Sequence, residues 1–350
     1  MAAFKNPMNS PQKKIQTRFL TDADYPRWDA FVEESPQGCI FHTSKWAAII
    51  KSVFKRKFEI LVIEKKDIIQ AGILFWPKNH SIFKSITYIP NTSYQGPLFI
   101  QSESTKLSTI NAQYEKYSSE LIDFLLKNYN LIDIPLSPTL TDCRPFQWHN
   151  FKVSSKYTYR FPIIDMAEME KQFSQDLRRK LKDSASEQND FRESKDTNNL
   201  VSFIYQSYKQ HGMTPAINNS QLQEFLDLCL SSDAGKLYYQ YYDDAAVAGI
   251  FVLTDSRNVY ALFSGIDSNY RHKINSELLH IHVLSQEIFH GKIFDFLGAN
   301  TKDLEQFKRS FGGELTPYFT VTYTKNKVIN LLLSVRSKSH ILKRRIKSNL

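Results

Sequence analysis

Phe294 to Gly313, FDFLGANTKDLEQFKRSFGG, is the stretch whose reading decides the fold. Ile293 to Leu297 reads as a short buried strand ending at Gly298. Asn300 or Thr301 is the candidate N-cap of a helix that carries Leu304, Phe307 and Phe311 at spacings of three and four. Gly312-Gly313 stops it. The pattern delivers a polar helix start to the end of a sheet, where α/β proteins often keep their chemistry. Asp295 alternates between Phe294 and Phe296, so it shares a strand face with Ile293 and Leu297. A carboxylate so flanked loses hydration, and its pKa rises unless a cation or donors compensate. It is a candidate general base or substrate anchor, or else a structural Asp paired with an Arg. Lys308 lies about 65° from the centre of the apolar stripe and Arg309 almost opposite it. Arg309 is therefore solvated. Lys308 sits at the rim, where a cation could meet a phosphate or an oxyanion, or simply snorkel.

FDFLG…FKRSFGG, followed by Tyr318, resembles the closing motif of the FemAB-like branch of the GNAT superfamily, which includes Fem-type peptidyltransferases and CelD-like acyltransferases of polysaccharide biosynthesis. WDAFVEESPQGCIFHTSKW, Trp28 to Trp46, resembles the opening motif of that family, and YQGPL, Tyr94 to Leu98, its mid-lobe signature. The three stand in the expected order and span most of residues 15–325. The resemblance implies an α/β (α+β) fold of two GNAT-like lobes, each a mixed, mostly antiparallel sheet flanked by helices. It also implies transfer of an acyl or aminoacyl group to an amine.

The chain has 350 residues, enough for one large or two ordinary domains. A net charge of +9 favours anionic partners: phosphorylated cofactors, tRNA or an anionic lipid surface. Cys39, Cys143 and Cys229 are widely spaced, so no disulfide framework is expected and a reducing compartment is. Nine scattered His and no paired Cys lead to the expectation of no metal site. No apolar run approaches the ~18–20 residues of a membrane span, and the expected location is cytoplasmic, or peripheral to the inner membrane face.

Residues 1–14 are expected to be disordered, residues 15–150 to form the first lobe, 151–325 the second, catalytic lobe, and 326–350 a basic tail. In the first lobe, helices around Trp28 and Trp46 precede strands Phe58 to Glu64, Ile69 to Trp76 and Ile86 to Pro90. The polar loop Asn91 to Pro97 is a candidate binding element. Its Tyr94 and Gln95, with Trp46, are the candidate acceptor-binding residues. A helix, about Leu107 to Asn128, and strand Leu131 to Leu136 close the lobe.

The second lobe opens with strand Tyr157 to Pro162 and a helix about Ala167 to Ser186. On it Arg178 and Lys182 share a face at four-residue spacing as candidate phosphate readers; the plainer alternative is a solvated face. Strands Leu237 to Tyr242, Ala246 to Leu253 and Val259 to Phe263 build the second sheet. A helix from about Ile274 to Phe289 is expected to bury Ile274, Leu278, Ile281, Ile288 and Phe289. In ordinary GNAT enzymes a Gly-rich run before this helix holds coenzyme A pyrophosphate on backbone N–H groups. Here Tyr270-Arg271-His272-Lys273-Ile274-Asn275 stands instead, leaving Arg271, Lys273 and Asn275 as candidate donor-phosphate contacts. The tail from Val328 reads as an amphipathic basic helix for a membrane surface or tRNA, or as a packed helix with a charged end.

The expected enzyme is an N-acyltransferase acting on the amine of a sugar, amino acid or cell-envelope precursor. Lys308, Asp295 and Tyr318 are its candidate catalytic residues. No nucleophile motif appears, so direct transfer is favoured over a covalent intermediate. The expected donor is acyl-CoA as a co-substrate. The alternatives are a Fem-type aminoacyl-tRNA-dependent peptidyltransferase and a non-catalytic degenerate GNAT pair that binds an anionic or lipid-linked ligand.

Overall fold

A computed structural model gives the structure of residues 15–184, 190–210, 212, 215 and 217–325. The expectations for 1–14 and for the tail from Asn326 lie outside these residues. In chain order the strands are β1 Gln16–Phe19, β2 Glu59–Lys65, β3 Ile68–Phe75, β4 Pro77–Asn79, β5 Lys84–Thr87, β6 Pro97–Phe99, β7 Leu131–Pro135, β8 Lys152–Pro162, β9 Asp190–Ser194, β10 Gly235–Tyr242, β11 Ala245–Thr254, β12 Asn258–Ile266, β13 Ile293–Asp295 and β14 Glu314–Thr324. The α-helices are α1 Tyr25–Glu34, α2 Ser44–Phe54, α3 Leu107–Asn128, α4 Arg144–Trp148, α5 Met166–Gln172, α6 Gln175–Ser184, α7 Asn198–Gln210, α8 Asn219–Ser231, α9 Ser276–Leu284 and α10 Lys302–Arg309.

The mixed α/β reading holds, with a topology the sequence did not show. One four-stranded sheet runs β1-β2-β3-β6, and a ten-stranded sheet runs β4-β5-β7-β14-β8-β13-β12-β11-β10-β9. Strands β4, β5 and β7 precede residue 150 yet join the sheet of the second lobe, because β14 returns to pair with β7 from Thr320 to Thr324. Three apolar clusters fill the interior. One joins Trp28, Phe41 and Trp46 to Phe203, Phe225 and Tyr260 across the two lobes. A second packs Phe161, Phe294 and Phe296 under α9 and the end of α10. A third sets Leu121 and Leu125 of α3 on Ile132 and Val321. Full burial of one such side chain contributes ~1.5–3 kcal/mol.

Several sequence expectations are corrected. The helix expected over residues 167–186 is two helices, α5 and α6, parted at Phe173-Ser174, where the Ser174 N–H donates to Ser310 O at 2.8 Å. The helix expected to end at Phe289 stops at Leu284, and Ile288 is exposed rather than buried. Leu304 is also exposed. The helix around it is only α10, Lys302–Arg309, so a single pair of turns cannot carry the whole stripe inward. β8 begins at Lys152, five residues earlier than expected. β14 pairs with it from Lys152 to Arg160, which extends it.

One turn adds polar ties between the lobes. Asp255-Ser256-Arg257 joins β11 to β12, and the Arg257 guanidinium donates to the carbonyls of Ser35 at 3.0 Å and Gly38 at 2.6 Å. Asp255 Oδ2 accepts from the Ile40 N–H at 3.0 Å and from the Tyr260 hydroxyl at 3.0 Å. The opening motif of the sequence is thus the segment that the β11–β12 turn grips.

Candidate active site

The site begins where β12 and β13 part. They run parallel over three pairs, Asn258 with Ile293, Val259 with Phe294 and Tyr260 with Asp295. β12 continues to Ile266 while β13 ends at Asp295. The chain then turns through Leu297 at φ 53° and Gly298 at φ 121°, conformations that suit glycine and strain leucine. No described strand pairs with the freed edge of β12 beyond Tyr260.

Lys308 holds that turn. Its ammonium donates to Phe296 O at 2.8 Å and to Gly298 O. It also lies 5.7 Å from the Phe296 ring centre. Thr301 is the N-cap of α10, and its side chain makes no cap hydrogen bond. Burial lowers the Lys308 pKa to about 8, against the pull of Asp295, which favours the cation. Two of its three N–H groups are engaged, and the third has no partner among the described residues.

Asp295 is fully buried. Its Oδ2 accepts from the Tyr94 hydroxyl at 2.9 Å and lies 3.2 Å from Arg160 Nε. Its Oδ1 accepts from Thr158 Oγ1 at 2.7 Å and the Leu297 N–H at 2.8 Å. Desolvation pushes its pKa up, opposed by Arg160 and these donors. All its acceptor positions face protein groups, so no substrate proton reaches it in this arrangement. Arg160 Nη2 also donates to Asn258 Oδ1 at 3.1 Å. Tyr318 packs edge-on against Tyr94, with centroids 5.4 Å apart. Its hydroxyl points toward Gly298, 4.0 Å from where a Cβ would stand, and burial raises its pKa.

Lys308, Asp295 and Tyr318 are therefore brought together around Gly298. The other candidates fall elsewhere. Tyr94 reaches the cluster but is buried, and so are Gln95 and Trp46. Trp46 donates its indole N–H to Thr92 Oγ1 at 3.1 Å and packs edge-on against Phe41 and Phe225. It is an interior residue with no surface to offer an acceptor. Gln95 has both amide atoms buried without a hydrogen-bond partner in the described structure. Arg178 and Lys182 are exposed on α6 and line a groove with Leu181, Leu278, Ile281 and His282. Lys180, between them, donates to Glu277 at 2.7 Å and docks α6 on the start of α9. Arg271 and Lys273 are exposed before the same helix, and the Lys273 ammonium lies 5.4 Å from the Tyr270 ring centre. The Asn275 side chain makes no cap hydrogen bond.

The sequence reading missed Thr158, Arg160 and Asn258. Thr158 and Arg160 alternate with Tyr157, Tyr159 and Phe161, which reads as a solvent face. In a central strand both faces are covered, so their polar face became the partner of Asp295. Among the described residues no three His, Cys, Asp or Glu side chains gather as a metal site.

Residues 171–309 match the family described as an acetyltransferase (GNAT) domain. No curated protein matches the sequence. Among solved structures, FemX superposes with a TM-score of 0.69 at 12% identity, covering 91% of this chain and 99% of that one. L-PGS from Bacillus licheniformis gives 0.51 at 11% identity, covering 89% and 96%. A tandem GNAT protein from the clavulanic acid biosynthesis pathway gives 0.51 at 9% identity, covering 89% and 99%. Residues 171–309 thus resemble a GNAT domain, and the likeness to the solved structures shows a tandem GNAT-like fold.

Proposed function

We propose that the chain transfers an acyl or aminoacyl group from an activated donor to an amine, with the Lys308 ammonium acting at the carbonyl under attack. The placement of Lys308 carries this reading: a cation of lowered pKa, fixed on two carbonyls at the fork of β12 and β13, with one N–H free among the described residues. The amine nitrogen forms the new C–N bond, and the oxyanion accepts from Lys308. The bond to the leaving oxygen or sulfur then breaks, and the proton lost by the amine passes to that leaving group. Asp295, with its acceptor positions filled, positions Tyr94 and the Leu297 turn rather than touching substrate. Tyr318, whose hydroxyl lies near Gly298, orients the amine.

Between donors, the reading favours aminoacyl-tRNA. The helix start that would face a coenzyme A pyrophosphate lacks the glycines, and Glu277 stands in its first turn. That carboxylate is paired with Lys180 at 2.7 Å and so occupies a cation that could otherwise meet a phosphate. The net charge of +9 suits a polyanionic donor, and the likeness to FemX over most of the chain supports a Fem-type reading. The match of residues 171–309 to an acetyltransferase domain keeps acyl-CoA as the second reading. The test is donor binding by thermal shift and filter retention. Charged tRNA should bind with an affinity that falls steeply with salt, while acetyl-CoA leaves the melting temperature unchanged. A salt-resistant shift with acetyl-CoA alone would replace the first reading with the second. A response to neither would favour a non-catalytic scaffold.

A further inference from the structure

The β4–β5 hairpin presents an apolar residue that neither its turn nor the core accounts for. The turn runs from His80 to Phe83 and is closed by the His80 N–H, which donates to Phe83 O at 2.8 Å. The Phe83 ring stacks on His80 with centres 4.1 Å apart, and a hydrogen bond of 3.0 Å joins His80 Nε2 to Ser85 Oγ. Ser81 and Ile82 form the tip. Two-residue turns of this kind favour Gly, Asn and Asp. Ile82 stands there instead, with 82% of its surface exposed, the highest value among the large apolar residues described.

Cations surround this tip. Lys78 and Lys84 are exposed on its two strands, and neither ammonium has a partner among the described residues. From Trp76 to Ser102 the sequence has no Asp or Glu. On β4, β5 and β7 the one carboxylate is Asp133, which accepts from Thr322 Oγ1 at 3.2 Å. The described chain also leaves at this place. The Asn130 N–H donates to Lys84 O at 2.9 Å, and the Lys325 N–H to Asn130 O at 2.8 Å. Lys84, Asn130 and Lys325 thus stand in one row across β5, β7 and β14. At ~4.8 Å per strand, the Cα atoms of Lys84 and Lys325 lie about 10 Å apart. Residues 326–350 follow, with seven Lys and Arg and no Asp or Glu.

We propose that this end of the ten-stranded sheet docks on an anionic lipid surface. Ile82 enters the headgroup layer, while Lys78, Lys84 and Lys325, with the basic sequence that follows, meet lipid phosphates. Charge alone would suit tRNA equally. The apolar tip decides between them: an isoleucine held out among lysines gains nothing against a phosphate backbone, but it leaves water in a bilayer interface. The surface lies roughly 20 Å along β14 from Tyr318 and does not depend on the donor assigned above.

The test is sedimentation of the whole chain with vesicles of phosphatidylcholine, alone or mixed two to one with phosphatidylglycerol. Binding should require phosphatidylglycerol and weaken with salt. Each cation near the surface contributes about fivefold, so Lys78→Gln and Lys84→Gln together should weaken binding about 25-fold. Ile82→Ser should weaken it about fivefold, the effect of burying roughly half of an isoleucine side chain. Ile68→Ser, at the far end of β3, should leave it unchanged. Both isoleucines are exposed, so neither change bears on folding. Absence of binding to the mixed vesicles, an unchanged affinity in Ile82→Ser, or equal losses in the two isoleucine variants overturns the assignment. Displacement from vesicles by tRNA, with Ile82→Ser equal to wild type, would give the cations to nucleic acid and overturn it as well.

Discussion

The Tyr94 hydroxyl donates to Asp295 Oδ2 at 2.9 Å across 201 positions of sequence, and this bond joins the mid-lobe loop to the end of β13. Both groups are buried, so each depends on the other for its hydrogen bond. Tyr94→Phe leaves one lone pair of a buried carboxylate unmet. It should lower the unfolding free energy by about 1–3 kcal/mol. Asp295→Asn leaves Arg160 without its counter-charge and should lower it further, by about 3–5 kcal/mol. Urea unfolding of both variants checks the order; equal stability of Asp295→Asn and wild type would remove Asp295 from the positioning role.

Activity should fall as pH rises. The Lys308 pKa is lowered from 10.5 to about 8, so the cation is present at neutral pH and is lost through that value. A pH–rate profile of kcat/KM should therefore bend downward near pH 8 and vanish in Lys308→Met. The stability linkage has the opposite sign. The folded state releases this proton at lower pH than the unfolded chain does. Between about pH 8 and 10.5 this group alone therefore makes stability rise with pH. A rise through pH 8 that is present in the wild type and absent in Lys308→Met would show that neutral Lys308 is the working form.

One guanidinium contributes to the lobe contact. Arg257 reaches the carbonyls of Ser35 and Gly38 together, which a lysine ammonium on a flexible stem does not reproduce. Arg257→Lys should lose about 1.5–3 kcal/mol, the worth of a charged hydrogen bond, with the melting transition still cooperative. A melt indistinguishable from wild type would mean that the Arg257 bonds add nothing to the other contacts that hold the lobes.

Gly312 tests the end of the decisive stretch. Its φ is 73° and an added Cβ would stand 2.2 Å from Gln172 O. Backbone strain of this kind costs about 1–3 kcal/mol before the clash is counted. Gly312→Ala should therefore be among the most destabilising single-methyl changes in the chain. Gly212 shares the left-handed conformation, at φ 60°, but an added Cβ there meets nothing within 4 Å among the described residues; it is the control for strain alone, and a comparable melting temperature for the two variants would contradict the clash.

Much of the candidate site was legible from Phe294 to Gly313 because strand, turn and helix lie within one short window. Asp295 and Lys308 stand out there as charges against an apolar pattern. Tyr318 followed from the resemblance. Arg160, Asn258 and Arg257 were not legible. Each sits in an ordinary turn or alternating strand, and its partner is distant in sequence: Gly38 lies 219 positions from Arg257. Trp46 misled because its order in the opening motif says nothing of burial. The ten-stranded sheet was hidden for the same reason: the pairing of β14 with both β7 and β8 is a tertiary event. Local periodicity identifies strands but not their neighbours.

The most direct measurement is the single-turnover rate of aminoacyl transfer from charged tRNA to an amine acceptor, in wild type and Lys308→Met. Removing one oxyanion donor typically slows the chemical step by about 10²–10³. The account predicts a loss of that size in Lys308→Met, with donor affinity within a few-fold of wild type. Equal rates in the two proteins, or transfer from neither aminoacyl-tRNA nor acyl-CoA in the wild type, would contradict it.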